Sequence, residues 1–487
     1  MLRAWDLNLQ LIRNSSLPLH LQIAQKVIDE IQQGRLLPAA VMPGTRELAE
    51  ILKVNRKTVV LTYEELVSQG WLASEDRRGT FVSKVLPSFA GTANRGLEIA
   101  KPAQANSKQF SHLNSQLKLA HVGNEDMPDA RLIPLQALSR SFRSALLSTS
   151  RTHYLDHAEP KGRYELRAFI SDMLNMERGL HIGPDNICMV RGSQMAAFIA
   201  ARIISAAQGI VVFESLTYPT VRETFKSCGA QIMSVAIDQF GIKVSELEKL
   251  CKMQPVRAVF VTPQHQYPTT VTLSAERRKE LLRLAEAYDF LIIEDGHDHE
   301  FDFSDTPTLP LASDDRHGRV IYIGSLSHML SPGLNVAYLA GPVDFIDRCA
   351  EEARLIDQQG NMTVELVIFE LMQSGEIKRH MRRMTKVYGE RRTLLKQVVQ
   401  GELDDLIEFE IPDGGLAFWL RFKHQQDMQA LVEQTRNKGF KFSTGSFYAE
   451  DRSEVQAIRL GFASLNAREM GEGVERLKSV MINTRSK

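Results

Sequence analysis

The sequence lacks the marks of a membrane-spanning or disulfide-stabilised protein. None of its apolar runs approaches the roughly 18–20 residues that a bilayer-spanning helix needs. Its N-terminal stretch has a charge inside every short apolar patch and no small-residue cleavage site, so no signal peptide is expected. Its four cysteines are scattered without a C-x-x-C pair, at Cys188, Cys228, Cys251 and Cys349. Because this spacing favours reduced, buried thiols, we expect a cytoplasmic protein with no membrane partner.

The sequence also lacks net charge. Its 59 Lys and Arg residues equal its 59 Asp and Glu residues, so no overall positive field attracts nucleic acid. Over residues 1–84 there are 11 basic and 9 acidic side chains, a difference of only +2. Any prediction of DNA binding must therefore rest on pattern. The length of 487 residues exceeds what one core usually serves and predicts two or three domains.

The first 85 residues have the periodicity of a small helical domain. Apolar residues recur every four positions between Pro18 and Gly34, as on one face of a helix. A short helix is expected over TRELAEIL, with Thr45 as its cap, and a longer one after it, with Asn55 as its cap. Two β-like runs, WLAS and TFVS, follow around a turn that contains Gly79. This order of elements is typical of a winged helix-turn-helix.

In such a domain the second helix of the pair enters the major groove of DNA with its N-terminal end. Here that end carries Arg56, Lys57 and Thr58, whose side chains suit base edges and phosphates. Arg77 and Arg78, at the tip of the hairpin, would reach the DNA backbone or the minor groove. A small helical domain with solvated charges is the alternative. The agreement of helix lengths, caps and hairpin favours double-stranded DNA as the partner.

The segment over residues 17–84, from LPLHLQ to TFVSK, resembles the GntR family of bacterial regulators nearly end to end. The resemblance implies the same DNA-contact positions at the start of the second helix. It adds Arg46 on the first helix of the pair, and Gly79 with Thr80 at the wing.

The composition changes after residue 85. Residues 86–117 are rich in Ser, Ala, Asn, Gln and Gly and show no apolar period, which predicts a flexible linker. We therefore divide the chain into a DNA-binding domain at 1–85, a linker at 86–117 and an effector-sensing domain at 118–487.

The C-terminal domain alternates β-type runs with helical stretches. The runs are NICMV, GIVVF, AQIMSVAI, RAVFVT, DFLIIED and RVIYIGS. Several are continuously apolar, as in a mostly parallel sheet with helices on both faces, so an α/β fold is predicted. Ligands of such sheets bind beyond the carboxyl ends of the strands.

Polar side chains follow five of these runs. Ser193 and Gln194 open a helix after NICMV, a position that suits an anion. Tyr218 follows GIVVF and could stack on a flat ring, and His265 follows RAVFVT. Asp295 ends DFLIIED and could hold the proton of a pyridinium nitrogen, and the loop GSLSHMLSPGL begins as RVIYIGS ends. Each feature alone is more often structural, but together at one sheet edge they predict a ligand site.

In this order the residues resemble the fold type I aminotransferases, the pyridoxal phosphate (PLP) class, from about Leu119 to Lys478. The stretch YLDHAEPKGRYELRAFI resembles the segment before the first strand of that fold, and Arg459 in IRLGFASL matches the arginine that holds a substrate carboxylate. With a GntR-like head in front, the whole chain resembles the MocR subfamily of regulators. The resemblance implies PLP held through a lysine, an amino compound or a vitamer as ligand, and a head-to-tail homodimer.

The residues that hold PLP in that family are changed in this sequence. His328 follows Ser325 and Ser327 at the position of the Schiff-base lysine, and an imidazole cannot form that bond. Asn335 replaces the arginine that clamps the cofactor phosphate. His297 replaces the tyrosine of an Asp-Asp-Tyr pattern, which bonds the ring hydroxyl. Three changes around one ligand indicate that the ligand has changed.

We therefore predict a DNA-binding transcriptional regulator whose aminotransferase-like domain is a sensor and not an enzyme. A small anionic effector is expected to engage Arg459; no cofactor is expected to bind covalently, and non-covalent binding of PLP or a vitamer stays open. The alternatives are a PLP-dependent aminotransferase, a regulator that senses PLP despite the missing lysine, and a ligand-free dimeriser. No metal site is predicted, because His297 and His328 are expected to lie near each other without an evident third ligand.

Overall fold

A computed structural model describes the chain over residues 18–75, 79–86, 127–149, 159–304, 306, 308–358, 360–440, 442–451 and 453–484. The protein forms two compact units, residues 1–110 and 111–487. Most of the predicted linker lies outside the described residues, so the boundaries after residues 85 and 117 stay predictions. Within the described part, the helices are too short or too polar to cross a bilayer.

The N-terminal unit has the predicted order of elements. Its described residues form α1 (Leu19–Gln32), α2 (Thr45–Leu52), α3 (Arg56–Ser68), β1 (Leu72–Glu75) and β2 (Gly79–Val82). The two strands pair antiparallel. One apolar core joins all of these elements, and its buried members include Ile23, Val27, Leu48, Val59, Leu66 and Val82.

The starts of α2 and α3 differ in how they are capped. Asn55 caps α3 as predicted, because its side chain accepts a hydrogen bond from the Lys57 amide at 2.8 Å. Thr45 does not cap α2 as predicted; Gly44 precedes that helix and offers no side-chain cap. Thr45 Oγ1 instead accepts a hydrogen bond from Arg56 Nε at 3.4 Å. The start of α2 is thereby tied to the start of α3.

The C-terminal unit combines many helices with two main sheets. The α-helices of its described residues are α4 (Leu135–Thr149), α5 (Tyr164–Arg178), α6 (Gly192–Ser205), α7 (Pro219–Ser227), α8 (Val244–Met253), α9 (Ala275–Ala287), α10 (Ser327–Leu330), α11 (Val343–Asp357), α12 (Met362–Gln373), α13 (Glu376–Leu403), α14 (Met428–Asn437), α15 (Gly445–Tyr448) and α16 (Ala467–Thr484). The strands are β3 (Ile187–Val190), β4 (Ile210–Glu214), β5 (Gln231–Val235), β6 (Ile237–Asp238), β7 (Gly241–Ile242), β8 (Val256–Val261), β9 (Leu291–Asp295), β10 (Val320–Ser325), β11 (Ala337–Ala340), β12 (Ile407–Glu408), β13 (Ala417–Phe422), β14 (Ser443–Thr444) and β15 (Ala457–Gly461).

The larger sheet is mostly parallel, as predicted. Its order is β3-β11-β10-β9-β8-β4-β5, and β11 runs antiparallel to both of its neighbours. Successive side chains of a strand point to opposite faces. Val211 and Phe213 of β4 therefore pack with α6 and α11 on one face, whereas Val212 packs with α8 and α9 on the other. Both faces are apolar, which explains the continuous hydrophobic runs in the sequence.

The smaller sheet is antiparallel and has the order β12-β13-β15-β14. Its apolar side chains share a core with the two long helices α13 and α16, through residues such as Leu395 and Leu477. Strand β15 carries Arg459, and the adjoining β14 contributes Ser443 to the wall of the cavity described below.

A buried carboxyl group fixes the loop that follows β8. Glu214 is 2% exposed at the end of β4. Its Oε2 accepts hydrogen bonds from the Thr262 amide and from Gln266 Nε2, both at 3.1 Å. Burial raises the pKa of Glu214 to about 8, against the effect of these two bonds. The loop that carries His265 and Tyr267 is thus attached to the neighbouring strand.

A serine closes the loop between β10 and β11. The Ser327 hydroxyl accepts a hydrogen bond from the Val336 amide at 2.7 Å and donates one to the Val336 carbonyl at 3.1 Å. Both residues are buried. Ser327, a predicted ligand contact, is therefore a structural residue in this chain, and its neighbour His328 is held at a fixed place.

We expect Glu214→Gln to change how stability depends on pH. The pKa of Glu214 in the folded protein, about 8, lies above the ordinary glutamate pKa of 4.5. The neutral carboxyl group therefore contributes fully to the free energy of unfolding below about pH 4.5, and this contribution is lost as the pH rises through about 8. Relative to the wild type, the variant should gain up to a few kcal/mol of unfolding free energy between about pH 5 and about pH 9. Urea unfolding at several pH values measures this, and the exposed Glu390→Gln serves as the control. Parallel pH profiles for Glu214→Gln and the wild type would contradict the assignment.

Ser327→Ala should destabilise the C-terminal unit by about 1–3 kcal/mol, because it leaves the buried Val336 amide without its acceptor. The shift of the urea midpoint measures the loss. Ser331→Ala, in the same loop and without such a bond to Val336, should stay within about 0.5 kcal/mol of the wild type. Equal effects of the two variants would remove the structural role given to Ser327.

Candidate functional site

The predicted DNA-contact residues of the N-terminal unit lie at the start of its helix pair and of its hairpin. The side chains of Arg46, Arg56 and Lys57 are exposed, and Thr58 is half-buried. No acidic residue occurs in the first turn of α3, so the end of that helix can accept phosphate. Gly79 and Thr80 begin β2. Arg77, also predicted, lies outside the described residues.

A cavity of about 270 Å³ lies at the carboxyl edge of the larger sheet. Seven of the ten predicted ligand residues line it: Ser193, Gln194, Tyr218, Asp295, His297, Ser325 and His328. They come from the segments after β3, β4, β9 and β10. Because parallel strands end at one edge, the sheet brings together residues that are far apart in the sequence.

The other three predicted ligand residues also lie in the described part of the chain, but they do not line this cavity. Ser327 bonds to the backbone, as described above. His265 is buried, and burial lowers the pKa of its imidazole. Arg459 is 1% exposed. Its Nη1 donates to the Pro268 carbonyl at 2.7 Å, and its guanidinium lies 4.5 Å from the centre of the Tyr267 ring. Arg459 therefore does not offer the free carboxylate anchor that we expected from the sequence.

Two imidazoles and one carboxylate meet on the wall of the cavity. His297 Nε2 lies 3.2 Å from Asp298 Oδ2, and His328 Nδ1 lies 3.5 Å from Asp298 Oδ1. The candidate ligand atoms of the three residues all lie within 4.8 Å of one another. Burial raises the pKa of Asp298, but the imidazoles of His297 and His328 lower it more, and the net pKa is well below its usual range. The carboxylate is thus charged and faces both rings.

A chain of aromatic contacts surrounds this cluster. The ring of Tyr267 contacts those of Tyr218 and His297 edge-on, with centroids 5.5 and 5.1 Å apart. The ring of His297 contacts that of His328 in the same way at 5.2 Å. Such edge-to-face contacts fix ring orientation. The two imidazoles are therefore held by packing as well as by charge.

The wall of the cavity is acidic. Its carboxyl groups belong to Asp295, Asp298 and Glu300, and no lysine or arginine lines it among the residues that the structure describes. Burial raises the pKa of Asp295, and burial raises that of Glu300 to about 7. Since desolvation disfavours the charged form of a carboxyl group, these two groups become more readily ionised when a cation lies beside them.

The fold class implies PLP, and the residues fit that cofactor only in part. Asp295 ends β9, where it suits a pyridinium nitrogen, and Ser193 and Ser325 offer hydroxyl groups. His328, which the sequence resemblance assigns to the lysine position, lines the cavity and cannot form a Schiff base with the aldehyde. The phosphate has no cation on the described wall, and Asn335 is exposed and absent from the cavity. The described wall of the cavity therefore suits the ring of the cofactor better than its phosphate.

Sequence reasoning missed three residues of this site: Tyr267, Asp298 and Glu300. The signal for the last two was present, since the run Asp-Gly-His-Asp-His-Glu contains both of them. That run alone does not indicate whether Asp298 or His299 faces the cavity. Asp298 adopts a left-handed backbone conformation, with φ of 56°, and lines the cavity. The ring of His299 instead contacts the Tyr322 hydroxyl, 3.2 Å away.

Two family models match the chain. Residues 120–477 match "Aminotransferase class I and II", and residues 19–82 match "Bacterial regulatory proteins, gntR family". The first match spans most of the chain. The second coincides with the helix pair and hairpin of the N-terminal unit.

Individual proteins give the same two-part result. The HTH-type transcriptional regulator YdeL of Bacillus subtilis is 27% identical over 97% of this chain and 99% of its own length. The probable rhizopine catabolism regulatory protein MocR of Rhizobium meliloti is 27% identical, over 97% of this chain and 96% of its own. The multiple substrate aminotransferase of Thermococcus profundus superposes with a TM-score of 0.69 at 25% identity, over 77% of this chain and 95% of its own. The chain therefore belongs to the aminotransferase class I and II family and, with its gntR-type head, is homologous to the MocR-type transcriptional regulators.

Proposed function

We propose that this protein is a transcriptional regulator whose aminotransferase-like domain senses a small molecule without a lysine Schiff base. One observation carries the proposal: a gntR-type head is joined to an aminotransferase-like domain whose cavity is lined by His328, the residue that we assign to the lysine position. His328 is engaged there with Asp298, at 3.5 Å. Without an amine at this position, the usual PLP route to amino-group transfer has no starting point.

The DNA-binding part of the proposal rests on α3. Its first turn presents exposed cations beside the capping residue Asn55 and carries no acidic residue. Arg56 and Lys57 can bond to phosphates and base edges in the major groove, while Gly79 and Thr80 approach the backbone at the wing. In this proposal the partner is a double-stranded operator, read by residues 1–85.

The sensing part of the proposal rests on the cavity. Its volume of about 270 Å³ lies just below the roughly 300–1,000 Å³ of pockets for drug-sized ligands, so it suits a smaller molecule. An anionic effector could bind Arg459 only if the guanidinium left the Pro268 carbonyl. A ligand that binds two arrangements of a homodimer unequally would then change how the two heads bind DNA. The homodimer and the cytoplasmic location stay predictions.

A non-covalent vitamer is the second candidate ligand. Asp295 and Tyr218 on the cavity wall favour a pyridine ring, and Tyr218 is 39% exposed. The absence of a cation on the described wall disfavours the phosphate. An unphosphorylated vitamer therefore fits this cavity better than PLP does.

For DNA binding, we expect Arg56→Ala with Lys57→Ala to weaken binding and to flatten its salt dependence. If both side chains contact phosphates, the slope of log K against log salt should fall by about 1.8, or about 0.9 for each contact. Fluorescence anisotropy can measure this with a duplex that the full-length protein selects from a random pool. Lys26→Ala with Arg35→Ala removes the same charge from another part of the head and is the control. Equal losses in the two double variants would reject α3 as the recognition helix.

For the cofactor, we expect no Schiff-base absorbance band when PLP is added to the wild-type protein. His328→Lys should not restore one either, because the phosphate also lacks a cationic partner. Reduction with borohydride followed by peptide mapping distinguishes residue 328 from surface lysines, and the exposed His424→Lys variant is the control for an added lysine. A wild-type band that shifts with an amino donor would establish an aminotransferase instead. A band specific to His328→Lys would mean that the phosphate site is intact.

A further inference from the structure

We propose that His297, Asp298 and His328 bind one divalent transition-metal ion at the wall of the cavity. The site lies where the aminotransferase pattern has its Schiff-base lysine and its ring-hydroxyl tyrosine. The inference goes beyond the proposed function and does not depend on DNA binding. It also reverses the expectation from the sequence that no metal site is present.

The distances between the ligand atoms suit a single small ion. In a tetrahedral zinc site with bonds of roughly 2.0–2.1 Å, neighbouring ligand atoms lie about 3.4 Å apart. Here His297 Nε2 lies 3.2 Å from Asp298 Oδ2, and His328 Nδ1 lies 3.5 Å from the other carboxylate oxygen, Oδ1. All three ligand atoms fall within 4.8 Å. Only small side-chain movements are needed to place one ion at bonding distance from all three.

The ligand types narrow the choice of metal. Two imidazole nitrogens and one carboxylate oxygen favour Zn²⁺ and neighbouring transition-metal ions, whereas Mg²⁺ and Ca²⁺ favour oxygen ligands alone. A structural zinc site is usually closed by four protein ligands. This site supplies three among the described residues and opens into the cavity, so a coordination position remains for water or a small ligand.

The polar atoms of the cluster are buried. Asp298 is 2% exposed, and its carboxylate oxygens face the two imidazoles at 3.2 and 3.5 Å without a well-formed hydrogen bond from the described residues. His328 Nδ1 is also buried without a hydrogen-bond partner. Buried polar atoms are nearly always satisfied in folded proteins, so these atoms suit a ligand that bonds to both residues. One cation between these atoms satisfies both residues.

The charges around the cluster allow for a divalent cation. Arg459 Nη2 lies 4.0 Å from Asp298 Oδ2 and opposes a second positive charge. Asp295 and Glu300 line the same cavity and offset it.

The three ligands are held in place before any ion binds. The left-handed turn at Asp298 aims its carboxylate, and the bonds between Ser327 and Val336 fix the residue next to His328. Edge-on contact with Tyr267 orients the His297 ring. Because little ordering remains to be done, the three residues are preorganised for binding.

Zinc binding to the full-length protein tests the proposal. After removal of metals with a chelator and dialysis, titration calorimetry with Zn²⁺ alone should give one ion per chain, and elemental analysis should confirm the ratio. His328→Ala and His297→Ala should each weaken binding at least about 10-fold, since even loss of an outer-shell partner costs roughly that much. The exposed His317→Ala, outside the cluster, is the matched control and should bind as the wild type does.

Cobalt gives a second readout that reports on the ligand set. Co²⁺ in place of Zn²⁺ should produce a visible d–d absorbance in the wild type that is lost in His328→Ala. Asp298→Asn is a further variant, because asparagine tolerates a positive φ. Circular dichroism of each metal-free variant establishes that the variant is folded. No stoichiometric binding, or equal binding by His328→Ala and the wild type, overturns the site. DNA binding is measured separately, so failure of one proposal is distinguishable from failure of the other.

Discussion

The parallel pairing of β8, β9 and β10 is the constraint on which the candidate site depends. Because the three strands run in one direction, the segments that follow them reach the same edge of the sheet. Three different strands are followed by Tyr267, His297 and His328. The ring of Tyr267 nevertheless contacts that of His297, which in turn contacts that of His328. A shift in the register of any of these strands would separate them. Sheet register therefore creates a chemical cluster that no local motif encodes.

The exchange of lysine for histidine that the sequence resemblance implies at position 328 would change more than reactivity. An ammonium group only donates hydrogen bonds, whereas a neutral imidazole also offers a lone pair. Beside Asp298, the lysine of the family pattern would form an ion pair, while His328 can share a proton or a metal ion with the carboxylate. At His297 the sequence resemblance implies an exchange of tyrosine for histidine, which places a second imidazole beside the same carboxylate.

Much of the fold was predictable because its signals are local. The bounds of α2 and the cap of α3 follow from a short apolar period and from Asn55, and the strands follow from continuous apolar runs. The site was predictable only as a set of strand ends. Asp298 was missed because its role depends on a left-handed φ, and the burial of Arg459 depends on the Pro268 carbonyl. Conformations of this kind arise from tertiary packing.

The electrostatics of the cavity determine which ligands it can accept. A carboxylate ligand gains from Arg459 but must approach three carboxyl groups, two of which have raised pKa values and resist ionisation. An amine ligand is attracted by the carboxyl groups, but the imidazoles occupy the space beside them. A metal ion resolves both conflicts, because it uses the imidazoles as ligands and lets a small anion bind beside the carboxylates as its own ligand. The anionic effector expected from the sequence and the acidic wall found in the structure are compatible if a cation lies between them.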